Sequence, residues 1–152
     1  MKYVLIILTF LMINTLNAQG FTMKVWSGGA PDSNGIILLL YPVISFSEEF
    51  VHMGSRRNLI GEGNGWKMVN QYSSELQVTS ETPPAFLILA DDDKSVVPRN
   101  SIEFYSDVKA YNVPAEMHIF QKGGHGFGMR GNNIPADNWP NLFMDWLKTT
   151  GF

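Results

Sequence analysis

Ile36-Ile37-Leu38-Leu39-Leu40-Tyr41-Pro42 decides the fold class. An unbroken apolar run that is too short for a buried helix and is closed by a proline reads as a strand covered on both faces. Such strands sit in the middle of parallel sheets, because the helices that join parallel strands lie above and below them. Downstream the same texture recurs. Ala85-Phe86-Leu87-Ile88-Leu89-Ala90 follows Pro83-Pro84, and after Pro114 a third strand is expected from Ala115 to Phe120. Between them Pro98 stands where a first helical turn tolerates it, and Ile102, Tyr105 and Val108, with Phe104 and Tyr111, recur at helical spacing. Trp139, Leu142, Phe143, Trp146 and Leu147 form the apolar stripe of a terminal helix. Residues 47–80 read as irregular or short-helical, and residues 123–131, rich in glycine, as a loop. Strand, helix, strand, helix in succession predicts an α/β fold, a parallel sheet with flanking helices.

Upstream of Gly35 the texture differs. Lys2, the apolar residues 3–13 and then Asn14-Thr15-Leu16-Asn17-Ala18 combine a charged start, a short hydrophobic core and a small residue for cleavage. About eleven apolar residues fall short of the roughly 20 that span a bilayer. Residues 1–18 therefore read as a signal peptide cut after Ala18, and the mature chain as secreted or periplasmic with no membrane attachment. Residues 19–35, full of Gly, Ser, Asp and Pro around Trp26, form an N-terminal segment of turns. With 152 residues and 45% apolar content, the chain has enough to bury one core. A net charge of −3 with dispersed Lys and Arg leaves no footprint for nucleic acid, and the absence of cysteine removes disulfides and thiolate metal sites.

Chemistry concentrates in two loops. Asp91-Asp92-Asp93 follows the second strand, and Gly123-Gly124-His125-Gly126 follows the third. Consecutive parallel strands are usually neighbours, so both loops emerge at the carboxyl edge of the sheet, where open α/β sheets place ligands. An aspartate and a histidine converge there, and an aspartate accepting the imidazole N–H would hold one tautomer and stabilise the imidazolium formed on proton transfer. The competing readings are a surface-loop histidine and a solvated acidic turn. A calcium site lacks the alternating ligand spacing it needs. His118, inside a strand, is expected to pack or hydrogen-bond under a helix, and His52 has no evident partner. Three histidines without paired spacing do not make a zinc site, and neither metal nor cofactor is expected.

Several strings resemble the back half of secreted bacterial α/β-hydrolases of the acetylxylan or feruloyl esterase-like group associated with xylan breakdown. They are Tyr41-Pro42-Val43-Ile44-Ser45, Gly54-Ser55-Arg56-Arg57-Asn58-Leu59-Ile60-Gly61, Asp92-Asp93-Lys94 and Gly123-Gly124-His125-Gly126-Phe127-Gly128. By position in the family motif, His125 matches the catalytic histidine and Asp92 the catalytic acid, with Asp93 the alternative. The resemblance runs from Ile36 to the C-terminus, so residues 36–152 are expected to form the C-terminal portion of an α/β-hydrolase domain, a partial fold with its N-terminal strands absent. A complete member carries an HGGG-type oxyanion loop and a G-x-S-x-G elbow that lifts the serine onto a strand-to-helix turn. Neither string occurs here, and the missing stretch implies a seam near Gly35 and Ile36.

The resemblance implies a serine ester hydrolase lineage with acylated carbohydrate or another small ester as substrate, inactive as it stands for want of the nucleophile. Two other readings are a non-catalytic exported carbohydrate-binding protein using Trp26, Trp66 and Trp139, and a fragment of a prolyl-oligopeptidase-like peptidase. A half-sheet would leave the strand at 36–41 without one neighbour, and self-association through that edge is expected.

Overall fold

A computed structural model describes residues 4–7, 35–47, 49–63, 65–129, 131 and 133–151. Its centre is a parallel sheet in chain order: β1 (Val4–Ile7), β2 (Ile36–Leu40), β3 (Ala85–Ala90) and β4 (Ala115–Phe120). The last three occupy the stretches expected from sequence. Ile37 lies opposite Ala85 and Ala85 opposite Ala115, so these strands run nearly level and their carboxyl ends share one edge.

All six residues of β3 are buried, and the unbroken apolar runs follow from the two covers on the sheet. Leu38, Leu40, Phe86 and Ile88 face one core with Trp139, Phe143 and Trp146 of the terminal helix α4 (Trp139–Thr150). Ile37, Leu39, Ala85 and Leu87 face the other, with Phe104 and Val108 of α3 (Arg99–Ala110). Alternate side chains of one strand thus enter different cores, so an unpaired polar group on either face of β3 would be costly. Phe86, fully buried, has its ring centre 5.3 Å from those of both Phe143 and Trp146, and burial of such a side chain is worth about 1.5–3 kcal/mol.

Between β2 and β3 the chain makes two short helices, α1 (Met53–Ile60) and α2 (Trp66–Tyr72), around a third cluster of Phe46, Ile60 and Val69. His52 caps α1: its Nδ1 accepts the backbone N–H of Ser55 at 3.1 Å and lies 2.8 Å from the Ser55 hydroxyl. The histidine without an evident partner is therefore a helix cap.

At the other edge of β2, Val4–Ile7 pairs in parallel with residues 36–39. The strand expected to lie open on that side is instead covered by part of the N-terminal apolar run. The expected cleavage point after Ala18 lies outside the described residues, as does nearly all of the segment at 19–35. No helix among the described residues is long and apolar enough to cross a membrane.

Candidate active site

The two loops expected to meet do meet. The ladder between β3 and β4 continues one step past the strand ends, with the N–H of Asp91 donating to the Phe120 carbonyl at 2.7 Å. The chain then turns back, the N–H of Asp93 reaching the Ala90 carbonyl at 3.2 Å, and this reversal sends the side chains of Asp92 and Asp93 to different partners.

Asp93 is the partner of His125. Its Oδ2 lies 2.8 Å from His125 Nδ1, and its Oδ1 accepts the backbone N–H groups of Ser95 at 2.8 Å and Val96 at 3.0 Å. The Asp93 side chain is 1% exposed and that of His125 is 21% exposed. With two backbone N–H groups on Oδ1, the carboxylate presents Oδ2 as an acceptor towards Nδ1, and the tautomer that donates from Nδ1 leaves Nε2 to accept a proton.

Asp92 does something else. Its Oδ1 accepts the N–H groups of Gly123 at 2.9 Å and Gly124 at 2.8 Å, and Lys122 Nζ lies 3.6 Å from Oδ2. The Gly124 N–H above all, with the Gly123 N–H and the Lys122 ammonium, holds the Asp92 carboxyl below the ordinary carboxylate range against the opposing effect of desolvation. The motif register that paired Asp92 with His125 is thus one residue off in space: Asp92 brackets the start of the histidine loop and Asp93 touches the imidazole.

The glycines of this loop have separate reasons. A Cβ on Gly123 would come 2.9 Å from Ala90 Cβ and 3.0 Å from Phe127 Cδ1, so no side chain fits there. Gly124 meets nothing within reach but has φ +61, a conformation that L side chains adopt at a cost. Beyond His125, Phe127 is buried in the core, and Trp139 Nε1 donates to the Gly128 carbonyl at 2.8 Å, which ties the far end of the loop to the start of α4.

Two residues to which the sequence alone assigned no part in the site shape the same edge. Tyr41, directly after β2, has φ +39, unusual for a bulky residue and costing roughly 1–3 kcal/mol. Its ring centre is 4.8 Å from that of His125 and 5.0 Å from that of Phe127, both edge-to-face. The sequence hints at it only through its place between an apolar run and Pro42 and at the head of the family-like string Tyr41-Pro42-Val43-Ile44-Ser45. Asn100, fully buried on α3, accepts the N–H groups of Ile44 at 3.1 Å and Ser45 at 3.2 Å through Oδ1, which clasps the loop after β2 to the helix. Nothing in the local sequence marks it.

His118 stands apart. Its Nε2 lies 2.7 Å from Glu116 Oε1, and its ring packs against Phe86, 5.3 Å between centres, as a strand histidine under a helix was expected to do.

The prolyl oligopeptidase family profile matches residues 10–150. The chain belongs to the prolyl oligopeptidase family. Among relatives of this family member, an acetylxylan esterase from Xylanibacter ruminicola is 40% identical over 117 residues, which is 74% of this chain and 24% of that protein. An endo-1,4-beta-xylanase B from Butyrivibrio fibrisolvens is 32% identical over 98 residues, 64% of this chain and 15% of that one. The solved structure of an acetyl ester-xyloside bifunctional hydrolase from Caldicellulosiruptor lactoaceticus superposes with a TM-score of 0.75 at 41% identity, covering 81% of this chain and 44% of that one. A carboxylesterase from Lactobacillus plantarum superposes with a TM-score of 0.62 at 28% identity, covering 76% and 44%. The chain is an acetylxylan-esterase-like α/β-hydrolase, as the resemblance implied, and it spans about a quarter of the length of the acetylxylan esterase it matches.

Proposed function

We propose that this chain carries the acid-histidine half of a serine ester hydrolase that removes acyl groups from plant polysaccharide. One observation supports it most: the 2.8 Å contact between Asp93 and His125 at the carboxyl edge of the sheet. In this reading His125 Nε2 takes the proton of an attacking serine and returns it to the leaving alcohol, while Asp93 holds the ring in the required tautomer and stabilises the imidazolium. In this reading the serine and the oxyanion donors lie outside the sequence of this chain, which contains neither a G-x-S-x-G elbow nor an HGGG loop. Losing the attacking serine alone removes on the order of 10⁶ in rate, so the isolated chain is expected to be inactive. Export by the N-terminal signal, bringing the protein to an extracellular polysaccharide, is part of the same proposal.

A chimera tests it. The serine-bearing part of the Xylanibacter ruminicola relative, joined to residues 36–152, should hydrolyse a chromogenic acetyl ester and release acetate from acetylated xylan in a His125-dependent way. It should leave prolyl peptides uncut. The chain alone should match its His125→Ala variant. A folded chimera without esterase activity, or one that cleaves only peptides, would overturn the reading.

A further inference from the structure

A single hydrogen bond in the plane of an imidazole fixes one nitrogen and leaves the ring free to rock about the bond. The contact from Asp93 to Nδ1 is of that kind, so something else must hold the ring's remaining freedom if Nε2 is to point one way. The ring of Tyr41 is placed to do so, edge-to-face with His125 at 4.8 Å.

Tyr41 is itself held from several sides. Its N–H donates to the Ile88 carbonyl at 2.7 Å, its ring meets Phe127 at 5.0 Å, and it is 7% exposed. Phe127 in turn belongs to the core and lies two residues beyond His125. The backbone conformation, φ +39 immediately before Pro42, is one that glycine would adopt freely and that a bulky pre-proline residue resists. Local strain of this sort persists where the surroundings enforce it, and at a reaction centre it is a means of fixing a side chain.

We propose that Tyr41 is a positioning residue for His125, its left-handed backbone turning the aromatic ring into a wall that orients the imidazole of the Asp93-His125 pair. The inference rests on the esterase reading and adds a member to its site. It concerns the end of β2, whereas the acid and the histidine come from the loops after β3 and β4.

The test uses the full chain with nitrogen-15-labelled histidine. In the parent protein the Nδ1 proton of His125 should give a low-field signal that Asp93→Asn removes. Tyr41→Phe, which keeps the ring, should leave its solvent exchange unchanged, whereas Tyr41→Leu and Tyr41→Gly should each raise it roughly two- to tenfold, the population shift that loss of one edge-to-face pair produces. Should the leucine variant fail to fold, the glycine variant, which relieves the backbone strain, carries the measurement. Exchange unchanged in the glycine variant overturns the inference, and so does a parallel rise at the core amide of Leu87, which would mark a general loosening. A parent protein without an Asp93-dependent signal overturns the esterase reading itself, which separates the two failures.

Discussion

Asp93 and His125, 32 residues apart in the chain, share a hydrogen bond of 2.8 Å through a carboxylate that is almost wholly withdrawn from water. Asparagine at position 93 would present an amide where the anion stands and would no longer favour the Nδ1-protonated tautomer. In the esterase chimera Asp93→Asn is expected to lower kcat on the order of 10⁴-fold, while Asp92→Asn, which leaves the pair intact, costs far less. Steady-state rates on a chromogenic acetyl ester decide between them. Equal losses would mean that Asp92 also acts on the imidazole.

The two perturbed acids make opposite predictions with pH. Asp92 is held below its ordinary value of 3.8 by the Gly124 and Gly123 N–H groups and Lys122, so its stabilisation is fully present above that value and is lost as pH falls through the lowered one. The stability gap between the parent and Asp92→Asn, read from urea midpoints, should therefore close in acid. Asp107 on α3 is raised by desolvation and by neighbouring Glu103, so its ionisation opposes folding at neutral pH. Asp107→Asn is expected to stabilise at pH 7, with the gain vanishing in acid.

Glycine at 123 answers to space. Alanine there must push Ala90 or Phe127 aside, and overpacking of this kind costs about 1–3 kcal/mol, visible as a lower thermal midpoint. Gly124→Ala meets no atoms and is expected to lose about 1–2 kcal/mol from its backbone conformation alone.

Removing the amide of Asn100 strands two buried N–H groups. Asn100→Ala is expected to cost about 2–4 kcal/mol and to speed hydrogen exchange at Ile44 and Ser45 before the rest of the sheet. Slow exchange at both would show that other acceptors take over.

Cleavage after Ala18 would remove Val4–Ile7 from its place beside β2. A chain of residues 19–152 is then expected to self-associate through the uncovered edge, while residues 1–152 remain monomeric at the same concentration. Size-exclusion chromatography over a concentration series distinguishes them, and identical profiles would dismiss the edge as an interface.

The strands at 36, 85 and 115 and the helices opened by Pro98 and Trp139 were legible because an apolar period is a property of many residues at once. So was the convergence of an aspartate and a histidine, which topology alone dictates. The choice between Asp92 and Asp93 was not, because it turns on how one tight reversal closes, and a turn has no period to read. The short helices at 53–60 and 66–72 carry too few residues to declare a face. The covering of β2 by Val4–Ile7 escaped for a related reason: an apolar run announces that it will be buried without saying against what. The backbone dihedral of Tyr41 is not encoded by its place before Pro42, and the contacts of Asn100 lie more than 50 residues away in sequence and leave no local mark.

The histidine loop is moored at both ends, by Asp92 to the amides of Gly123 and Gly124 and by the Trp139 indole to the Gly128 carbonyl. Its conformational entropy is surrendered when the protein folds, before any guest arrives. A ligand at His125 would then meet a host that needs no rearranging, and its association should show little of the unfavourable entropy that accompanies the ordering of a slack segment.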